Sequence, residues 1–154
     1  MRAINQSRLT VAAGCLTGWL LTVAPVASAD QFVAYGDYEV HYNAFNSTFI
    51  EPDVAESYGL TRSKNLALIN VSVLQKQADG SKQAVTANVT GSASNLIGQS
   101  EDLSFKEIRE ADALYYIGGL RFSGEQLMRI SLEVQPDPNQ SAYSIQFEQT
   151  FYPE

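Results

Sequence analysis

The stretch LALINVSVLQKQADGSKQAVTANVT, Leu66 to Thr90, decides the fold. Ile69, Val71 and Val73 share one parity while Asn70 and Ser72 share the other, which is the period of two that a half-buried strand shows. Val85, Ala87 and Val89 alternate in the same way with Thr86, Asn88 and Thr90. Between them, Ala78-Asp79-Gly80-Ser81 supplies Asp-Gly turn chemistry, in which glycine accepts the positive φ that a tight reversal needs. The spacing predicts two antiparallel strands joined as a β-hairpin.

The same pattern extends outward on both sides. LMRISLEV (127–134) sets Met128, Ile130, Leu132 and Val134 against Arg129, Ser131 and Glu133, and YSIQFEQTF (143–151) puts Tyr143, Ile145, Phe147 and Phe151 on one face. Pro136 and Pro138 in QPDPNQ separate the two by a loop rather than a minimal turn. FVAYGDYEVHYNAF (32–45) gives one or two strands around Gly36. DLSFKEIRE (102–110) and ALYYIGGLRF (113–122) give less regular ones, with Gly118 and Gly119 read as an interruption or bulge. Only EPDVAESYGL (51–60) carries helical punctuation, Pro52 at a first turn and Gly59 at its stop. Amphipathic helices long enough to cross between parallel strands are missing. The pattern therefore predicts an all-β fold, an antiparallel immunoglobulin-like β-sandwich of about seven strands with at most one short helix.

Residues 1–29 stand outside that pattern. Arg2 and Arg8 precede the apolar run LTVAAGCLTGWLLTVAPVA, and Ala27-Ser28-Ala29 offers the small residues a signal peptidase accepts. Gly14, Gly18 and Pro25 interrupt the run and argue against a membrane span. The reading is a cleaved secretory signal peptide over 1–29 and a single β-sandwich domain over 30–154, exported to the periplasm with no stable membrane insertion of the mature chain. Cys15, the one cysteine, leaves with the signal, so the mature chain has neither a disulfide nor a thiol nucleophile. Without Arg2 and Arg8, eight Lys and Arg face seventeen Asp and Glu, a formal charge of −9. That balance disfavours nucleic acid, whose phosphates need a positive surface.

Chemistry-bearing residues concentrate in HYNAFNSTF, His41 to Phe49, which holds the one histidine of the chain. A nucleophile system could use Ser47 or Thr48 with Glu39 or Asp37 as the acid, but no nucleophile-elbow pattern flanks either hydroxyl. Strand alternation already accounts for His41 as an outward polar residue. Asp37, Glu39 and His41 share one strand face, yet residues two apart stand about 6.8 Å from each other, too far to share one ion comfortably. No metal site, cofactor or catalytic group is therefore expected. TRSKN (61–65) is the one compact basic spot, with Arg62 and Lys64 able to grip an anionic group. If something binds, His41, Asn43, Thr48 and Arg62 form the best polar cluster that the sequence offers.

HYNAFNSTFIEPDVAESYGLTRSKNLALINVSVL (41–74) together with FSGEQLMRISLEVQPDPNQSAYSIQFEQTFY (122–152) resembles the domain of unknown function 4426 family, small exported proteins of Gram-negative bacteria. The resemblance spans nearly all of Gln31 to Tyr152 and implies a periplasmic β-sandwich with no established reaction. It transfers no role to His41, Asn43 or Arg62. The expected function is a non-enzymatic binding or envelope-assembly accessory module, meeting an envelope or periplasmic protein through a sheet edge or a tyrosine-rich face. The competing expectation is a small-ligand protein or weak hydrolase centred on His41, with Arg62 as an anion clamp.

Overall fold

The computed structural model describes residues 31–154, so the signal-peptide reading of 1–29 lies outside the described residues. The chain forms β1 (Gln31–Tyr35), β2 (Tyr38–Asn46), a 3₁₀ turn (Ser47–Phe49), α1 (Pro52–Tyr58), β3 (Leu66–Lys76), β4 (Lys82–Ala84), β5 (Asn88–Asn95), β6 (Ser100–Leu103), β7 (Phe105–Glu110), β8 (Ala113–Arg121), β9 (Gln126–Gln135) and β10 (Tyr143–Phe151). These build two antiparallel sheets. The first runs β1-β2-β3-β8-β7, with β4 also paired to β3, and the second runs β10-β9-β5-β6. Among the described residues, no helix is long and apolar enough to cross a membrane.

Among the described residues, the all-β antiparallel class and the single short α-helix match the sequence reading, but there are ten strands rather than about seven. The difference comes from segments that change sheet. The Asp-Gly hairpin exists only where β4 pairs with Leu74–Lys76, after which Val85–Ala87 leave the ladder and Val89 enters β5 beside β9 in the second sheet. DLSFKEIRE likewise breaks at Ser104, with β6 in the second sheet and β7 in the first. A chain that moves between sheets has to break its ladder, and residue parity carries no mark of which sheet a strand joins.

Inward parities are those the alternation predicts. Val40, Ile69, Val71 and Val73 of the first sheet and Ile130, Leu132 and Val134 of the second are fully buried in one shared cluster. At about 25 cal/mol per Å² of apolar area removed from water, this cluster is the main stabilising term. Gly118 does not interrupt β8, which is continuous from Ala113 to Arg121. Along one side an aromatic seam ties the edge strands together: Tyr35 stacks on Tyr143 at 4.2 Å between ring centres, Tyr42 meets Phe147 at 4.9 Å, and the Tyr35 hydroxyl donates to the Ser144 carbonyl at 3.0 Å. The edge of the first sheet thus lies beside β10, the edge of the second.

Candidate functional site

The second parity of β2 faces solvent, and the register sets His41 opposite Ser72 and Asn43 opposite Asn70. Together with Asp112 and Tyr115 these side chains line a concavity of about 470 Å³. His41 Nε2 lies 3.3 Å from Glu39 Oε2, which also accepts from Lys82 Nζ at 2.9 Å. The Lys82 bond first, and the His41 bond with it, hold the Glu39 carboxyl below its ordinary range against the opposing effect of desolvation. Phe32, across from His41 on β1, stacks on the imidazole at 5.1 Å. His41 is therefore tied along its strand and covered on one face.

Thr48 and Arg62 meet each other elsewhere. Arg62 Nη2 donates to the Thr48 carbonyl at 3.0 Å, and neither residue lines the His41 concavity. Thr48 is seven positions after His41, and most of the chain between them is extended β2, so the two stand roughly 20 Å apart along the chain. Arg62 is thus no part of a clamp around His41, because it fastens the chain before β3 to the middle of the 3₁₀ turn. Ser47 is fully buried; its Oγ donates to the Ser63 carbonyl at 3.0 Å and accepts from the Ser63 amide at 2.9 Å. A hydroxyl used in both directions and closed to solvent offers no nucleophile to His41. Among the described residues, no three His, Cys, Asp or Glu side chains come together in a group that could hold a metal ion.

Sequence reasoning missed a second concavity. β1 is described from Gln31, which pairs with Tyr42, whereas β2 continues to Asn46. Among the described residues, nothing pairs with Asn43–Asn46 on that side, so alternate residues turn their N–H and C=O outward. A groove of about 870 Å³ runs along this edge, walled by Ala44, Phe45 and Phe49 and by Phe147, Gln149 and Tyr152 from β10 and the chain beyond it. Phe49 is 66 % exposed and Tyr152 52 %, high values for aromatic rings that line one groove. Asn46 Nδ2 closes the far end by donating to the Tyr152 carbonyl at 2.7 Å.

One signal in the sequence could have found the groove. Tyr143, Ile145, Phe147 and Phe151 hold the core parity of β10, and Gln149 breaks it. Gln149 pairs with Met128, which is buried, yet Gln149 itself is exposed. A polar side chain on the core parity of an edge strand is the mark of a core left open at that point.

The Domain of unknown function (DUF4426) family model matches residues 32–154, and the chain belongs to that family. Among solved structures it is similar to a DUF4426 family protein from Pseudomonas aeruginosa PAO1, at 34 % identity and a TM-score of 0.70, over 81 % of this chain and 96 % of that one. It shares its fold with FetP of uropathogenic E. coli strain F11, at 13 % identity and a TM-score of 0.58, over 80 % of this chain and 94 % of that one. A copper-bound variant of FetP aligns at 13 % identity and a TM-score of 0.57, over 82 % of this chain and 97 % of that one. No curated protein matches the chain in sequence.

Proposed function

We propose that this DUF4426 protein is a non-enzymatic binding module of the Gram-negative periplasm that accepts an extended segment of a partner protein along the open edge of β2. The sheets are read as the two layers of an immunoglobulin-like sandwich, an arrangement that their shared buried cluster supports. The observation that carries the reading is the four-residue edge Asn43–Asn46, which among the described residues has no strand partner on that side and has an aromatic groove beside it. Strand addition uses these two components together: main-chain bonds supply affinity, and pockets for alternate side chains supply selection. A partner strand opposite Asn43–Asn46 lays one set of side chains toward Ala44 and Phe147 and the other beside Phe45 and Phe49, so an apolar residue at every second position fits best. Of the sequence-predicted residues, Asn43 takes part through its backbone.

The copper of the FetP variant is not carried over. The donor set here holds one imidazole, already tied to Glu39, and no thiol in residues 30–154.

The test is capture from solubilised cell envelope with the exported chain, its Ala44→Lys and Phe49→Ser variants, and His41→Ala for comparison. Ala44→Lys sets a charge in the groove, and Phe49→Ser removes a wall that the core does not need. A partner held by the native chain and by His41→Ala, lost with both groove variants at unchanged melting temperature, supports the reading. A partner retained by all four chains sinks it.

A further inference from the structure

The concavity on the solvent face of the first sheet adjoins the strand groove at Gln31 and Asn43, and the rest of its lining has its own chemistry. Its lining combines Asn43, Asn70, Ser72, His41, Asp112 and the ring of Tyr115, over an apolar base that includes Leu74 and Leu114. Among the described residues, no lysine or arginine lines it. Lys82, on the neighbouring strand β4, is held by Glu39. Two acceptors stand without a partner: Asn70 Oδ1 is buried with no hydrogen bond, and among the described residues the Asp112 carboxylate makes no ion pair within 4.0 Å. A buried acceptor left unbonded costs about 1–3 kcal/mol in general, so its presence in a concavity asks for a donor.

We propose that this concavity binds a small organic cation, a primary diamine or polyamine. An ammonium group is a pure donor with three N–H bonds to give; the register sets Asn70 opposite Ile117, five residues from Asp112, so one ammonium of a diamine or polyamine meets the carboxylate and another the orphan amide oxygen. The Tyr115 ring offers a face to the same charge, and the apolar base suits a methylene chain. A volume of about 470 Å³ accommodates a ligand of this size. An anion would meet the Asp112 carboxylate with no cation in the lining to receive it. Asn70 Oδ1 is closed to solvent as it stands, so binding requires the Asn70 amide to turn toward the ligand. Asp112 is presented by the two-residue loop between β7 and β8, in which Ala111 is held at φ 48°, a left-handed conformation that side-chain-bearing residues avoid.

The experiment is calorimetric titration of the exported chain with 1,4-diaminobutane and spermidine, with 1,4-butanediol and succinate as neutral and anionic counterparts. Asp112→Asn sits in an exposed loop and leaves the core alone; Asn70→Ala removes the orphan oxygen; Arg62→Ala serves as a distant charge change. The expected result is saturable binding of the amines alone, weakened about tenfold or more by Asp112→Asn and by Asn70→Ala and unchanged by Arg62→Ala. Absence of amine binding up to about 10 mM overturns the proposal. So does equal binding of succinate, or amine binding indifferent to both lining variants, which marks general attraction to an acidic surface. Capture of a strand partner at the β2 edge is independent of every one of these outcomes.

Discussion

The ring of Phe105 lies against the backbone of Gly118, so close that a β-carbon there would stand 2.9 Å from Phe105 Cε1. The same ring reaches within 3.5 Å of where a β-carbon on Gly91 would be, so Phe105 occupies space left by glycines in both sheets. Gly118 is therefore a packing glycine inside a regular strand. Gly118→Ala should destabilise by about 1–3 kcal/mol through overpacking. Gly119→Ala, whose β-carbon would meet only Leu66 Cδ1 at 3.5 Å, should change stability by less than about 1 kcal/mol. Urea unfolding of the two variants side by side separates a packing role for Gly118 from a general dislike of alanine in β8.

Ala111 gives a prediction of opposite sign. A positive φ at the first position of a two-residue hairpin loop is the type II′ pattern, where glycine is usual. Ala111→Gly relieves the left-handed strain but loosens the unfolded chain, and relief should win by about 0.5–1 kcal/mol. The denaturation midpoint should rise. A fall would mean that the alanine conformation is not strained in this loop.

Most strands were legible because alternation survives in them. Ile69, Val71, Val73, Ile130 and Val134 are buried on the parities their neighbours imply. What parity omits is partnership: nothing in Val85–Val89 says that the chain leaves β3 and joins β9, since either sheet rewards the same alternation. The candidate site was legible in part. His41 and Asn43 do share a concavity, as two outward residues of one strand must. Arg62 does not join them, because its guanidinium is occupied by the Thr48 carbonyl, a contact between segments whose approach depends on α1 folding back. The groove went unread because it lies between β2 and β10, whose approach is a property of packing rather than of composition.

Glu39 predicts an acid sensitivity. Its carboxyl is held below its ordinary value of 4.5, chiefly by the Lys82 bond and then by His41, with desolvation opposing. A depressed carboxyl contributes stability that is present above the unfolded value and lost as pH falls through the folded one. From pH 5 downward the melting temperature of the native chain should therefore fall more steeply than that of Glu39→Gln, while at pH 7 the native chain should be the more stable of the two. Parallel curves for the two proteins across that window would remove Glu39 from the account.

Asn46 joins the fold to the proposed groove. It occupies a core-facing position of β2, is 6 % exposed, and uses its amide to hold the Tyr152 carbonyl at 2.7 Å. An apolar residue would fit the parity better, so the bond rather than burial explains the asparagine. It pins the chain that leaves β10 against the end of β2 and so fixes the distance between the two walls. Asn46→Ala should cost about 1–2 kcal/mol in urea unfolding, the loss expected when a part-buried hydrogen bond is removed and a small void left in its place. Asn46→Asp should cost more, since a carboxylate would confront the same carbonyl. In both variants, amide exchange at Thr150 and Phe151 should quicken relative to Ile145, because the tether lost is local to the end of β10. A cost for Asn46→Ala within about 0.3 kcal/mol of zero, with exchange unchanged, would leave the spacing of the groove to the Tyr42–Phe147 contact alone.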